Sequence, residues 1–290
     1  MKVRSFLVLL FLPSFFLLLS CSNKSPKISQ KSKPRVIDSD SIYSLNEKFN
    51  EAKQIVYSLP SPQEVSLILL DNKNISYNPE LMNKYTNVDK YTSDLSRALN
   101  LGIYSADISY STIFNQNQTA INYISAAKKL AEQLGILNYF SQNDIQEIEN
   151  NITNRDEVMK VITQAYMKSD AKLQQDKRDD IGALILIGGW IEGMYLAVNL
   201  AQCNAKSNPQ LINAIMEQQL SLSLLVDFLN YYKNNKLLSD ISSDIIQLNN
   251  IFQSTKTNID SSGNIIVSEK DFKRICKKIN QIRNTYVNLI

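Results

Sequence analysis

From Leu45 to the C-terminus, apolar residues recur at intervals of three and four, the spacing that lines one face of an α-helix. Three stripes carry it most clearly: Ile121, Ile124, Ala127, Ala131, Leu134; Leu211, Ile215, Leu222, Leu225, Leu229; and Phe272, Ile275, Ile279, Ile282, Tyr286, Leu289. Helix starts are marked by side chains that settle the orphan N–H groups of a first turn. Ser44-Leu-Asn-Glu47 and Ser61-Pro62-Gln-Glu64 read as capping boxes, and Asn78-Pro79, Ser141-Gln-Asn-Asp144, Asn154-Arg-Asp-Glu157, Asn208-Pro209 and Ser268-Glu-Lys-Asp271 as further starts. Only Gly263 to Ser268 suggests extended chain. The pattern predicts one all-α, bundle-like domain over residues 45–290, with eight to ten helices.

The bundle has an obvious centre. Ile181 to Ala201 is 21 residues with one formal charge, Glu192, and holds four of the seven glycines: Gly182, Gly188, Gly189 and Gly193. Its length would span a bilayer, and Gly189-Trp-Ile-Glu-Gly193 reads as GxxxG. An ionised carboxylate at mid-membrane costs about 2.5–3.5 kcal/mol, however, and a helix apolar all round is also what the middle of a large helical domain needs. We therefore expect a buried central helix. Each interior glycine costs up to about 1 kcal/mol relative to alanine, so four together predict neighbouring helices packed against bare backbone.

Ahead of the domain, Met1 to Cys21 has the form of an export signal: Lys2 and Arg4, an apolar run from Phe6 to Leu19, then Leu18-Leu19-Ser20-Cys21. That ending resembles a bacterial lipobox, so Met1–Ser20 is expected to be removed and Cys21 lipidated. Acyl chains contribute about 0.8 kcal/mol per buried CH₂, which anchors a chain in a lipid bilayer without a spanning helix. Residues 22–44 are rich in Ser, Lys, Pro, Asn and Gln and read, with Cys21, as a disordered tether.

Charge narrows the choice of partner. Without Lys2 and Arg4 the chain has 29 basic and 28 acidic residues, and without the tether 24 and 26. A nearly neutral domain offers no basic surface for a phosphate backbone, so nucleic acid is not expected as a partner. The five basic residues of the tether are better matched to anionic lipid headgroups.

Together the lipobox, Tyr57-Ser-Leu-Pro-Ser-Pro62, Ala98-Leu-Asn-Leu-Gly-Ile-Tyr-Ser-Ala-Asp107 and Gly188-Gly-Trp-Ile-Glu-Gly193 resemble a group of all-helical lipoproteins of Bacteroidetes. The resemblance covers most of the chain after Cys21. It implies a cell-envelope location and an all-helical domain, and it carries no activity. Export to the outer surface in that phylum favours acidic residues just after the cysteine. Ser22-Asn-Lys24 has none, which implies an outer-membrane lipoprotein facing the periplasm. Asp40-Ser41-Ile42 matches the short O-glycosylation motif of the same phylum.

The chain contains no histidine, which excludes Ser-His-Asp and Cys-His nucleophiles, histidine-ligated zinc and histidine general-base catalysis. The glycines lie inside a helix and form no phosphate loop, and no cofactor is expected. Cys203 and Cys276 read as small buried hydrophobes, with a disulfide closing about 70 residues as the alternative. Asn258, Asp260, Ser262, Asn264 and Glu269 have EF-hand spacing around Gly263, yet too few are acidic, so a polar turn is the preferred reading and calcium the weak alternative.

Two carboxylates remain. Asp107 precedes Tyr110, and Glu192 precedes Tyr195, by one helical turn in otherwise apolar stretches. If their helices are neighbours, the two acids meet inside the domain, ringed by Tyr104, Tyr110, Trp190, Tyr195 and Asn199. The preferred function is a non-enzymatic module that binds an envelope protein or small ligand. The alternative is a glycan hydrolase in which burial splits the two acid strengths, one serving as proton donor while the other stays charged. In the preferred reading Glu192 is a core carboxylate held by Tyr195 or Tyr104, and Glu192→Gln is mild.

Overall fold

The computed structural model describes residues 75–139, 146–147, 150–151, 153–232 and 235–290, and among these the helical spacing is realised in seven bounded α-helices, with Gln146, Glu147 and Asn150 helical besides. The seven are α1 (Asp94–Ile113), α2 (Asn117–Gln133), α3 (Arg155–Gln175), α4 (Asp179–Leu200), α5 (Pro209–Tyr231), α6 (Ser239–Ser254) and α7 (Glu269–Val287). A short antiparallel hairpin, β1 (Thr257–Ile259) with β2 (Ile265–Val267), separates α6 from α7. The fold class is all-α, as expected. The chain divides into Met1–Ile42 and Tyr43–Ile290, and all described residues belong to the second unit. The leader, Cys21, the tether and the helix starts at Ser44, Ser61 and Ser141 lie outside the described residues.

Capping chemistry sets several boundaries. The side chains of Asn154, Asn208 and Ser268 accept from the N–H groups of Glu157, Leu211 and Asp271, opening α3, α5 and α7. Helix α1 opens on a reciprocal box, Ser93 with Ser96, that the sequence reading did not single out. Asn78 also caps, but only the single 3-10 turn Pro79–Leu81 follows. The chain is drawn off there because the Asn83 N–H donates to Asp107 Oδ2 at 3.2 Å. Helices α1 to α4 each stop on a left-handed residue, at Asn115, Gly135, Lys177 and Gln202, and the N–H of the next residue returns to a carbonyl in the last turn.

Packing is organised by the pair α1 and α4. Helix α2 covers α1, and α3 lies against α1 and α4. Helix α7 crosses α4 and touches α1 and α6, while α5 packs mainly on α6. The central helix is almost wholly inside, as its apolar circumference requires, with Leu184, Ile187, Ile191 and Val198 completely buried. The stripes hold in α5 and α7, whereas in α2 the buried face runs through Ala120, Tyr123, Ile124, Leu130 and Ala131 and leaves Ile121 36% exposed.

Glycine explains how closely α1 and α4 approach. A methyl group on Gly188 would collide with the Leu99 carbonyl, and one on Gly102 with the Ile185 carbonyl. Gly182 faces the Asp170 carboxylate instead, and Gly193 points outward with nothing within 4 Å, so the expectation of close backbone packing fails at that position. Backbone obstacles cannot rotate away as side chains can.

Gly188→Ala and Gly102→Ala should therefore destabilise the domain by about 1–3 kcal/mol through overpacking, despite the better helix propensity of alanine. Gly193→Ala should stabilise by up to about 1 kcal/mol. Urea unfolding of the three variants followed by circular dichroism checks both signs. Equal effects at Gly188 and Gly193 would contradict the interlocked geometry.

Candidate functional site: a buried carboxylate pair closed by arginine

Close approach of α1 to α4 brings Asp107 and Glu192 together near the middle of the domain, as the sequence pattern predicts for neighbouring helices. Both side chains are completely buried, and each carboxyl group is close enough to act on the acid strength of the other. Asp107 Oδ2 accepts from the Asn83 N–H. No donor among the described residues reaches Asp107 Oδ1. Two buried carboxyl groups this close favour a proton on one of them, since two adjacent anions repel in a medium that screens poorly.

The partner of Glu192 is Arg283 of α7, and neither Tyr195 nor Tyr104 takes that place. Arg283 Nε donates to Glu192 Oε2 at 2.9 Å and its NH2 to Oε1 at 3.0 Å, a two-pronged pairing of guanidinium with carboxylate. NH2 also donates to the Leu81 carbonyl at 3.1 Å. The guanidinium carbon lies 4.4 Å from the centroid of the Tyr195 ring, within cation–π range. Arginine is suited to this position because its planar fork stays charged when buried.

One proton and one cation make the cluster neutral. Desolvation, then the Glu192 charge, raises Asp107 well above the ordinary Asp value of 3.8. Burial also raises Glu192, while the Arg283 charge and hydrogen bonds pull it back. Burial works against the Arg283 cation, and Glu192 more than offsets this, leaving Arg283 raised. These directions favour a proton on Asp107 and a charge on Glu192, which the Arg283 fork holds.

A second buried polar chain ties α1 to the end of α7. Asn83 Nδ2 donates to Asn100 Oδ1 and to the Tyr91 hydroxyl, both at 2.9 Å. Asn100 Nδ2 donates to the Tyr286 carbonyl at 3.0 Å, and the Tyr91 hydroxyl to the Val287 carbonyl at 3.4 Å. The last turn of a helix leaves such carbonyls unsatisfied, so these donors act as a cap from outside.

Other residues expected in the ring have separate tasks. Tyr104 is buried and donates to the Lys84 carbonyl, its edge meeting Tyr91 and Tyr123. Tyr110 accepts from the Asn78 N–H and stacks on Tyr77. Trp190 is buried, with no hydrogen-bond partner for its indole N–H among the described residues. Asn199 sits two turns beyond Glu192 and donates to Asn280 Oδ1 of α7 at 3.1 Å. Of the expected set, Asp107, Glu192 and, through Arg283, Tyr195 form one cluster, whereas Tyr104, Tyr110, Trp190 and Asn199 flank it.

Arg283, Asn83 and Asn100 were not anticipated. Arg283 had a visible signal, because it stands on the apolar face of Ile279, Ile282 and Tyr286, where a charge needs a partner. Asn83 and Asn100 had none, since their partners are distant in sequence.

The EF-hand spacing belongs to the hairpin. Asp260 Oδ1 accepts from the N–H groups of Ser262 and Asn264, and Oδ2 from Asn264 Nδ2, so the carboxylate is used within the turn. Asn258 lies in β1, paired with Ile266. Glu269 accepts from the Ala205 N–H and pairs with Lys273. Among the described residues no group of three or more Cys, Asp or Glu could hold a metal ion.

Comparison with known protein families, curated proteins and solved structures finds no match.

Charge neutrality makes a prediction that no single contact does. Asp107→Asn keeps a neutral donor beside Glu192, and Glu192→Gln leaves Asp107 free to ionise toward Arg283. Each alone should cost about 1–2 kcal/mol. Together they strand the buried Arg283 and should cost about 3–5 kcal/mol beyond the sum, measured as a double-mutant cycle in urea.

The pH dependence follows from Asp107 with a definite sign. Its raised folded-state pKa means the folded chain binds a proton that the unfolded chain has released, so its contribution is complete below the ordinary 3.8 and is lost as pH rises toward the folded value. The stability of the wild type relative to Asp107→Asn should fall as pH is raised above about 4. A difference that rises with pH would mean Asp107 is the ionised member.

Proposed function

We propose that the chain is a lipid-anchored lipoprotein of the cell envelope, held by acyl chains on Cys21 at the outer membrane and facing the periplasm, whose helical domain binds an envelope protein or small ligand without catalysis. The resemblance to helical lipoproteins of Bacteroidetes belongs to the same proposal.

The observation that carries the non-catalytic part is the closure of the acidic pair. A glycan hydrolase needs both carboxylates to face a substrate. Here Asp107 and Glu192 have no exposed surface, and Arg283 occupies both oxygens of Glu192. The anchoring part is supported by the placement of α4. Among the described residues it alone is long and apolar enough to cross a membrane, and 78% of its most apolar window is buried inside the domain. Helices α1, α3 and α7 already occupy the surfaces a bilayer would need. Attachment through Cys21 needs no helix of the domain in the bilayer, which fits a buried α4.

Cys21→Ala should move the protein from the membrane fraction to the soluble fraction and abolish labelling by a tagged fatty acid. Retention of the variant in carbonate-washed membranes would instead favour a spanning helix. For the binding reading, purified wild type and Glu192→Gln should behave alike on peptidoglycan and polysaccharide substrates. A cleavage activity in the wild type that Glu192→Gln abolishes, with the variant still folded, would replace it with the hydrolase.

A further inference from the structure

Helices α4 and α7 are joined at successive levels. Glu192 meets Arg283 and Asn199 meets Asn280, and at the next level, between the Asn199–Asn280 bond and the one from the Ala205 N–H to Glu269, Cys203 packs on the core cluster that holds Cys276. Residue numbers climb along α4 as they descend along α7, so the helices run antiparallel and the cysteines stand on one rung. Both thiols are free in this structure. Cys203 lies just past the end of α4 in a left-handed conformation, φ 48°, fixed by its own N–H returning to the Val198 carbonyl at 2.9 Å. It is half-buried, whereas Cys276 is 2% exposed.

We infer that Cys203 and Cys276 are a disulfide-forming pair, with Cys203 the thiol that reacts first and Cys276 the one that resolves. A left-handed residue with a β-carbon carries strain that glycine would relieve, and here it holds Cys203 level with Cys276 of α7. Reading the two as unrelated small hydrophobes does not explain why they stand on one rung between two hydrogen bonds donated to α7. The neighbouring Cys276 lowers the Cys203 pKa, while Cys203 and burial raise that of Cys276, an asymmetry that suits these roles.

The oxidant is an external disulfide, small or borne by a protein. The Cys203 thiolate attacks one sulfur of that disulfide and expels the other half as a thiol. Cys276 then attacks the Cys203 sulfur of the mixed disulfide and expels the second half. Two external thiols are formed, and they carry the two protons lost by the protein. The closed bridge encloses α5, α6 and the hairpin and fastens the start of α7 to the end of α4. It is independent of the membrane anchor and of the acidic pair.

The full chain is incubated folded with oxidised glutathione, quenched with iodoacetamide and mapped by mass spectrometry without reduction. The expected product lacks two hydrogens and yields a peptide linking Cys203 to Cys276. Its melting temperature should fall by on the order of 5–10 °C on reduction. Cys276→Ser should stop at a glutathione adduct on Cys203. Cys203→Ser should leave Cys276 unmodified under native conditions. Alkylation of both thiols after glutathione treatment, or a bridge from either to Cys21, would overturn the inference. The wild-type map decides it even if a variant fails to fold.

Discussion

An ionised carboxylate at the centre of the most apolar helix sets the terms for the rest of this molecule. Glu192 has no water to solvate it, so the fold has to supply a positive charge and donors at the same point. Arg283 meets that requirement from 91 positions along the chain. The pairing specifies which face of α7 turns inward and at what height along α4 it sits. An apolar pair of similar volume often serves stability equally well, so the value of such a cluster lies in rejecting other alignments. Slipping α7 by one turn would bury both charges apart.

Asp107 can join this cluster only because α1 and α4 approach closely. Gly102 and Gly188 present no side chain where the two helices cross, and the carbonyls of Leu99 and Ile185 occupy the space a methyl group would need. The glycines and the acids are therefore one device. Asp107 extends the cluster to Asn83, whose backbone N–H it accepts. Asn83 in turn reaches Tyr91 and Asn100, which cap the carbonyls at the end of α7. A single connected set of polar groups thus links the segment before α1, the central pair and the C-terminal helix. Every member sits where few alternative partners exist, which favours one arrangement over many.

Such a core closes off the two groups that look most like chemistry in the sequence. Both acids are buried, and an arginine holds both oxygens of one of them. The hairpin that looks most like a calcium loop spends the Asp260 carboxylate on its own backbone. Carboxylates placed for catalysis need exposure to a substrate, and these have none.

Much of the architecture was readable because helix formation is local. The three- and four-residue spacing, Asn154, Asn208-Pro209 and Ser268 each act within a turn or two of chain, and each behaves in the structure as its chemistry requires. The glycine concentration and the two acid-to-tyrosine spacings also pointed to α1 and α4 as partners, because a charge or a bare backbone in an apolar run has to be answered by something. What answers it is not local. Arg283 rather than a tyrosine holds Glu192, Gly193 faces outward while Gly188 is interlocked, and Asn78-Pro79 starts a single turn instead of a helix. Those outcomes depend on which surfaces meet and at what height, a matter of long-range packing and desolvation that no window along the chain contains. The sequence by itself determined the helices and the points where charge or missing side chains demand a partner. Only the tertiary structure decided which residue that partner is.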